Sequence, residues 1–304
     1  MGRNVQEDEC GTMSSEQYLK PLLDGMIWDS QMRFTGVPDG PDGERLLLRS
    51  YMNVRMPSPI PPDLLQLQDD YLRERNSERG VTRSADIPTI DRALGSSIDH
   101  ADRISLWQGD ITTLDCDAIV NAANSQMLGC FQPCHACIDN CIHTYSGMQL
   151  RLECHRKMAE LKGVYGQDYQ QPTAVPMLTD AYNLPCKKVV HVVGPIVYDM
   201  LTDDHEKMLA QCYTNVLDMC KDNGIESVAF CCISSGVFRF PNERAAEIAI
   251  RTVTQWLSNN DSVKKVIFNV FLDKDRRIYE GLLRRSAGRL QGDHLRRYEM
   301  HRIP

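Results

Sequence analysis

The sequence predicts an α/β protein in which helices cover both faces of one sheet, preceded by a helical N-terminal region. From about residue 100, short and nearly continuous apolar segments alternate with amphipathic helical patterns. Strands of this kind are buried on both faces, as they are in a three-layer α/β sandwich. Before that point the chain instead shows helical spacing interrupted by turn-rich stretches.

The N-terminal region is predicted to contain three helices. Residues 14–26 and 43–55 carry apolar residues at helical spacing, and residues 61–75 open with Pro and Asp where a helix start favours them. The stretches TGVPDGPDG and MPSPIPP separate these helices. We therefore divide the chain into an N-terminal helical extension, a main domain and a C-terminal tail, at residues 1–98, 99–288 and 289–304.

Six segments of the main domain are predicted as strands because each is a short apolar run bounded by polar or turn residues. They are RISLWQGDI, CDAIVNAAN, TAVPML, KKVVHVVGP, SVAFCCIS and KKVIFNVFL. Helices are predicted among them at residues 138–158, 205–223, 242–258 and 276–283. In sheets of this class, ligands bind beyond the carboxyl ends of the strands, so the loops that follow the strands are the places to examine.

Composition narrows the classes of function. The chain has 304 residues, of which 42% are hydrophobic, and no apolar stretch approaches the roughly 18 residues of a membrane helix. Its first residues lack the apolar run of a secretory signal, so we expect a cytoplasmic protein with no membrane partner. A net charge of −7 disfavours nucleic acid as a partner, and 12 cysteines in a reducing compartment favour metal binding or catalysis over disulfides.

Three loops at predicted strand ends carry residues suited to a ligand. Asp110, in QGDITTL, could accept a hydrogen bond from a purine amine or could simply cap a turn. In IVNAANSQ, we expect Asn121 to brace the loop and Asn124 to bind ligand hydroxyls, since buried amides need partners. In CCISSGVFRFP, small residues before a helix let backbone N–H groups converge on a phosphate, although a plain connection looks similar.

The segment GCFQPCHACIDNCIH offers more metal ligands than one tetrahedral zinc site uses. Its candidates are Cys130, Cys134, His135, Cys137, Cys141 and His143. A closed structural zinc site takes four ligands, whereas a catalytic site takes three and leaves one position open. A helix that begins near Asp139 would place that residue one turn before His143 and would leave the earlier ligands on a loop. The number of ligands alone does not decide between the two kinds of site.

In their order and spacing, these motifs resemble those of macrodomains, which bind ADP-ribose. The resemblance covers about residues 103–284 and rests on GDIT, DAIVNAANS, IDNCIHTYSG, NLPCKKVVHVVGPI, SVAFCCISSGVFRFP and IFNVFLDKDRRIYEGLL. The chain is most similar to the MacroD-type branch that removes mono-ADP-ribose, but GCFQPCHAC stands where that branch carries a run of glycines. This difference resembles the zinc-containing macrodomains, which also carry a helical N-terminal extension. The resemblance thus implies a macrodomain three-layer α/β/α sandwich with a mixed central sheet.

The resemblance also implies roles for individual residues. It maps one zinc ion onto Cys130, His135 and Cys137, and it maps the catalytic residues onto Asp139 and the ribose-binding Asn124. The rest of the ADP-ribose site maps onto Asp110 and Ile111 beside the adenine, onto the phosphate-binding Ser234, Ser235, Gly236, Val237 and Phe238, and onto Phe271 in the adenine pocket.

The reaction that the resemblance implies is hydrolysis of the bond between the anomeric carbon of ADP-ribose and a modified side chain, foremost an Asp or Glu ester. Zinc would lie against the distal ribose and would polarise a hydroxyl or activate a water. Asp139 would orient the ribose or activate the water, and Asn124 would fix the ribose. In microbes, zinc-containing relatives are linked to a sirtuin-type ADP-ribosyltransferase that acts on a lipoyl-carrier protein, so such a protein is a candidate substrate.

Other functions remain open at this stage. A macrodomain could be a non-catalytic reader of ADP-ribose or of ADP-ribosylated proteins, since the fold alone does not decide activity. The zinc could be purely structural, with Cys134 as a fourth ligand that closes the site. A cysteine hydrolase would need one defined base beside a reactive thiolate, and the crowding of metal ligands favours coordination instead.

Overall fold

The computed structural model describes residues 14–30, 32–35 and 40–284, so the predicted tail, residues 289–304, lies outside the described residues. Three helices come first: α1 Glu16–Asp29, α2 Pro41–Val54 and α3 Pro62–Glu78. Their apolar faces bury one another around Leu22, Tyr51 and Leu72, because none of the three has a sheet to pack on. Met148, from a later helix, completes this small core and joins it to the main domain.

The main domain is built on one six-stranded sheet. Its strands are β2 Ile104–Gln108, β4 Ala118–Ala123, β5 Met177–Asp180, β6 Lys188–Val193, β7 Ser227–Phe230 and β8 Lys265–Val270. They lie in the order β2-β8-β7-β4-β6-β5, and all neighbours are parallel except β5 and β6, so the sheet is mixed, as predicted. A separate parallel pair joins β1 Thr82–Arg83 to β3 Leu114–Asp115.

Helices cover this sheet in two layers. They are α4 Ile90–Leu94, α5 Ile138–Ser146, α6 Met148–Tyr165, α7 Asp203–Asp222, α8 Asn242–Leu257 and α9 Asp273–Leu283. Helices α7, α8 and α9 pack side by side, whereas α5 and α6 pack on each other and α5 also contacts α2 and α3. The strands between the layers are buried through residues such as Val120, Val190 and Ile267, which confirms the predicted three-layer α/β/α sandwich.

Two predicted elements are divided or shortened by a single backbone angle. The single helix predicted at residues 138–158 is two helices, because Gly147 between α5 and α6 has a φ of 100° that a continuous helix does not allow. The strand predicted in TAVPML starts only at Met177, since Ala174 has a φ of 64° that is incompatible with a strand. Across the described residues, no helix is both long enough and apolar enough to cross a membrane.

Replacing Gly147 with Ala should destabilise the fold by about 1–3 kcal/mol, because a side chain is strained at that φ. The added Cβ would also lie 2.6 Å from Nε2 of Gln68, which packs under the turn. The matched control is Gly163→Ala in α6, where a Cβ meets no atom within 4 Å and should stabilise the helix by about 0.5–1 kcal/mol. Urea unfolding of both variants measures these free energies; equal effects would contradict the assigned strain.

Candidate active site

The predicted ligand residues lie along one edge of the sheet. Strands β2, β8, β7 and β4 are parallel neighbours, so the loops that follow them leave the sheet side by side. Asp110 follows β2, Phe271 follows β8, Ser234 lies in the loop after β7 and Asn124 follows β4. Three strand spacings separate the first loop from the last, about 14 Å. The edge is therefore long enough for an extended ligand that touches every loop.

Asp139 is the buried carboxylate of this edge. It lies in the first turn of α5 and is only 5% exposed. The side-chain amide of Asn121 donates to its Oδ1 at 2.8 Å, and that of Asn124 donates to its Oδ2 at 3.2 Å. Burial raises the pKa of Asp139 to about 6, against the opposing effects of the Asn121 hydrogen bond and the positive charge of Arg151. The carboxylate is thus fixed in orientation, and its pKa is raised toward neutral pH.

Uncharged side chains behind Asp139 hold it in place from inside the fold. The Asn121 amide that donates to Asp139 also lies 3.0 Å from Nδ1 of His191, so Nδ1 accepts and the ring proton is on Nε2, 3.0 Å from Oγ1 of Thr179. Burial lowers the pKa of His191 to about 3. Burial likewise depresses the pKa of His143, whose Nε2 lies 3.6 Å from Oδ1 of Asp139. Asn121 is therefore a brace, as expected, but its side chain holds Asp139 and His191 and not the backbone of its own loop.

The ligand loop, which we define as residues 129–137, brings three predicted metal ligands together. One ligand atom from each of Cys130, His135 and Cys137 lies within 4.8 Å of the others, and Sγ of Cys130 is 3.5 Å from Nδ1 of His135. Two sulfurs and one imidazole nitrogen at these separations fit a zinc ion and leave a fourth position for another ligand. Burial raises the pKa of the Cys137 thiol to about 12, so a thiolate at this position requires a nearby cation.

Cys134, the residue that would close such a site, does not belong to this group of three. Its Sγ donates to the carbonyl of Leu46 at 3.3 Å and lies 3.3 Å from Oγ of Ser50. Its backbone N–H donates to Oδ1 of Asn53 at 2.9 Å. All three partners belong to α2. Cys134 is therefore engaged with α2 and not with the group of Cys130, His135 and Cys137.

Gly129, the first residue of the ligand loop, packs against the ring of His143. Gly129 has a φ of 80°, and a Cβ added to it would lie 2.7 Å from Cγ of His143. Glycine is required here for both its conformation and its size. Its carbonyl accepts from Nδ2 of Asn124 at 3.1 Å, so Asn124 links the start of the loop to Asp139. The predicted ligand-binding amide of Asn124 is thus also part of the framework.

The loop between β7 and α8 presents backbone donors. Ser234 has a φ of 64°, and its buried Oγ has no hydrogen-bond partner among the described residues. Within the same part of the chain, no hydrogen bond uses the backbone N–H of Gly236, Val237 or Phe238. Val237 is 68% exposed. Free N–H groups on a turn with left-handed residues suit an anionic oxygen.

The opposite end of the edge differs in character. Asp110 accepts from the backbone N–H of Thr112 at 3.0 Å and forms an ion pair with Arg79, at the end of α3, at 2.5 Å. Ile111, predicted beside the adenine, is buried in the core. Phe271 is 69% exposed and is free to cover a flat ring.

Sequence reasoning missed several residues that shape the site: Arg49, Arg79, Asn140 and Arg151. The guanidinium of Arg49 meets Asn140 across 91 positions of the chain, and Arg79 meets Asp110 across 31. A local sequence pattern does not predict contacts between residues so far apart in the chain, because arginines on helices are usually exposed to solvent. Asn140 follows Asp139 directly in IDNCIH, and this adjacency was the sequence signal that could have placed Asn140 at the site.

Comparisons with known proteins agree with this geometry. The Macro domain family matches residues 120–249. A protein-ADP-ribose hydrolase of Treponema medium is 49% identical over 248 residues, which cover 81% of this chain and 90% of the relative. A protein of the same name from Staphylococcus aureus is 43% identical over 242 residues, covering 79% of this chain and 85% of the relative. A probable bifunctional ADP-ribose hydrolase/ADP-ribosyltransferase of Fusarium oxysporum is 41% identical over 252 residues, covering 78% of this chain but 40% of that protein.

Solved structures are similar in fold. The Trypanosoma brucei macrodomain in complex with ADP-ribose has a TM-score of 0.56 and 25% identity, over 81% of this chain and 96% of its own. The Oceanobacillus iheyensis macrodomain with ADP has a TM-score of 0.51 and 33% identity, over 59% of this chain and 88% of its own.

The buried histidine predicts an acid-labile fold. Unfolded chains bind a proton at His191 as the pH falls through about 6.5, whereas the folded chain does so only near 3, so the free energy of unfolding should fall on acidification within this window. We expect the chain with His191 to lose about 1.4 kcal/mol more per pH unit than a His191→Gln variant. Urea unfolding between pH 8 and 4 measures the difference, and the curves should run parallel above pH 7. Parallel curves throughout would contradict the neutral buried state.

Proposed function

Because the chain belongs to the macro domain family, we propose that it is a zinc-dependent hydrolase that removes mono-ADP-ribose from modified Asp or Glu side chains. The relatives named protein-ADP-ribose hydrolase support the hydrolase activity and the class of substrate. The observation that carries the proposal within this chain is the position of Asp139. It is buried between two asparagine amides and follows the ligand group of Cys130, His135 and Cys137 by two residues.

The ligand would extend along the edge of the sheet. The adenine would lie between Asp110 and the exposed ring of Phe271, and the diphosphate would accept hydrogen bonds from the free backbone N–H groups of residues 236–238. The distal ribose would then reach Asn124 and Asp139 at the end of β4. The strand order β2-β8-β7-β4 supports this direction, since it arranges the loops in the order adenine, phosphates and ribose.

Asp139 would act on the reacting ribose or on the attacking water. Hydrolysis breaks the bond between the anomeric carbon and the ester oxygen, transfers a hydroxyl from water to the carbon and releases the free carboxylic acid of the side chain. With a pKa of about 6, Asp139 would be mostly ionised at neutral pH. It could therefore accept a proton from water or a ribose hydroxyl and release it again afterwards. Asn121 and Asn124 keep both oxygens of Asp139 fixed for this purpose.

The zinc ion would be held by Cys130, His135 and Cys137 beside the distal ribose. Bound there, it would act as a Lewis acid toward an oxygen of the ribose or of water. The partial exposure of all three ligand residues supports a site that a substrate can reach, in contrast to a closed structural site.

A lipoyl-carrier protein is the substrate that we propose to test first. The name of the Fusarium relative combines a hydrolase with an ADP-ribosyltransferase in a single chain, which supports a function of this chain opposite a dedicated transferase. Release of ADP-ribose from a lipoyl-carrier protein and from a carboxylate-modified test protein should be compared with release from arginine-linked and serine-linked controls.

Replacing Asp139 with Asn should lower kcat by roughly 100-fold or more and leave the Kd for ADP-ribose nearly unchanged, because the carboxylate acts on the reaction and its shape is conserved. Release of ADP-ribose and calorimetric binding measure the two quantities. The control is Asp115→Asn on the exposed end of β3, which should change neither. Equal losses of turnover and binding in Asp139→Asn would contradict the role of Asp139, and binding without turnover in the parent would favour a reader.

Zinc content should separate Cys137 from Cys134. A Cys137→Ser variant should lose the ion because it removes one of three ligands, whereas Cys134→Ser should retain about one zinc per chain. Atomic absorption measures the content, and thermal unfolding verifies that both variants fold. Loss of zinc from both variants alike would favour a closed structural site. Chelation of the parent should abolish release of ADP-ribose while the chain remains folded.

A further inference from the structure

Helix α2 belongs to the N-terminal region, yet its side chains reach the ligand loop. Arg49 donates from Nη2 to the carbonyl of His135 at 2.9 Å and to Oδ1 of Asn140 at 2.7 Å, and Nε donates to the same oxygen at 3.2 Å. One turn later, Asn53 accepts from the backbone N–H of Cys134 at 2.9 Å. The two residues of α2 thus bond the loop backbone at consecutive positions, one of which is a proposed zinc ligand.

Asn140 extends these contacts to the first ligand. It is fully buried, and its Nδ2 donates to the carbonyls of Cys130 at 3.3 Å and of Gln132 at 2.9 Å. Both bonds that its Oδ1 accepts come from Arg49. Every hydrogen-bonding atom of this amide is therefore used. Removing the guanidinium would leave a buried oxygen unsatisfied and would free the amide to turn.

The ligand loop has little structure of its own. None of residues 129–137 lies in a helix or strand, and Gly129 and Cys134 both have positive φ. A backbone hydrogen bond from His135 to Gln132 at 3.2 Å turns the loop locally. Three ligands that must converge on one ion therefore depend on partners outside the loop for their positions, since outer partners orient ligating groups and tune metal affinity.

We propose that α2 is a positioning element of the metal site. Arg49, acting through Asn140 and through the carbonyl of His135, holds the three ligands in the arrangement that binds zinc, so the N-terminal helices complete the active site. The inference rests on the zinc dependence proposed above. Arg49 is a positioning residue, because its contacts are to the loop and to Asn140 and Cys141.

The test compares Arg49→Gln with Arg45→Gln in the full chain. Arg45 lies one turn earlier on α2 and pairs with Glu16 and Asp42. Competition with a chromophoric chelator measures zinc affinity, which should fall by roughly 10- to 100-fold in Arg49→Gln and stay unchanged in Arg45→Gln. At saturating zinc, the kcat of Arg49→Gln should return to the parental value, because no reacting group has changed. Equal zinc affinity in the parent and Arg49→Gln overturns the proposal.

Hydrogen exchange of the metal-free chains separates this inference from the zinc proposal. Amides of the ligand loop should exchange faster in Arg49→Gln than in the parent or in Arg45→Gln. A parent that binds no zinc would refute the zinc dependence, and the exchange rates would still decide the role of α2, because identical rates in all three chains refute it. If Arg49→Gln does not fold, Arg49→Lys replaces it; one retained donor should give an intermediate loss of affinity and of loop protection.

Discussion

The burial of the Asp139 carboxylate is the constraint on which the rest of the site depends. A charge removed from water is costly unless hydrogen bonds and opposite charge compensate it. Two asparagine amides occupy its oxygens, and the guanidinium of Arg151 contributes the opposing charge. The histidines packed nearest, His143 and His191, are kept neutral by their own burial. The two histidines behind the site thus stay neutral, and Asp139 is the member of this group whose protonation changes near neutral pH.

Arg151, which opposes the charge of Asp139, also connects the main domain to the N-terminal helices. From α6, it donates to the carbonyl of Leu128, just before the ligand loop, and to the carbonyls of Met52 and Arg55 at the end of α2. Its guanidinium also lies 4.3 Å from the ring centroid of Phe131 within the loop. A single buried cation therefore contacts the loop and the N-terminal helices and acts electrostatically on Asp139. Such a residue cannot be moved without disturbing all three, because the carbonyls that it satisfies have no other donor within the part of the chain that the structure describes.

The sequence predicted the layers of the fold and most ligand positions because their signals are local. Apolar runs revealed the strands, and residues at strand ends were expected at one edge once a mostly parallel sheet was assumed. Breaks that depend on single backbone angles, at Gly147 and Ala174, were missed, since the residues around them continue the same pattern. Arg49 and Arg79 were missed for a different reason, as the docking of separate helices creates their contacts. The selection of Cys130, His135 and Cys137 came from the family resemblance, and spacing alone left the fourth ligand open.

The position of β8 has a consequence for how the protein is made. This strand is the last of the six-stranded sheet in sequence, yet it lies between β2, the first strand of that sheet, and β7. Until about residue 270 has left the ribosome, β2 therefore lacks its neighbour, and the loops that carry Asp110 and Phe271 are not side by side. Pairing strands so distant along the chain is slow, because loop closure must precede any gain from the contact. The ligand edge is thus incomplete until β8 has been made, and a nascent chain with a complete ligand loop still lacks the surface that would hold the rest of the nucleotide.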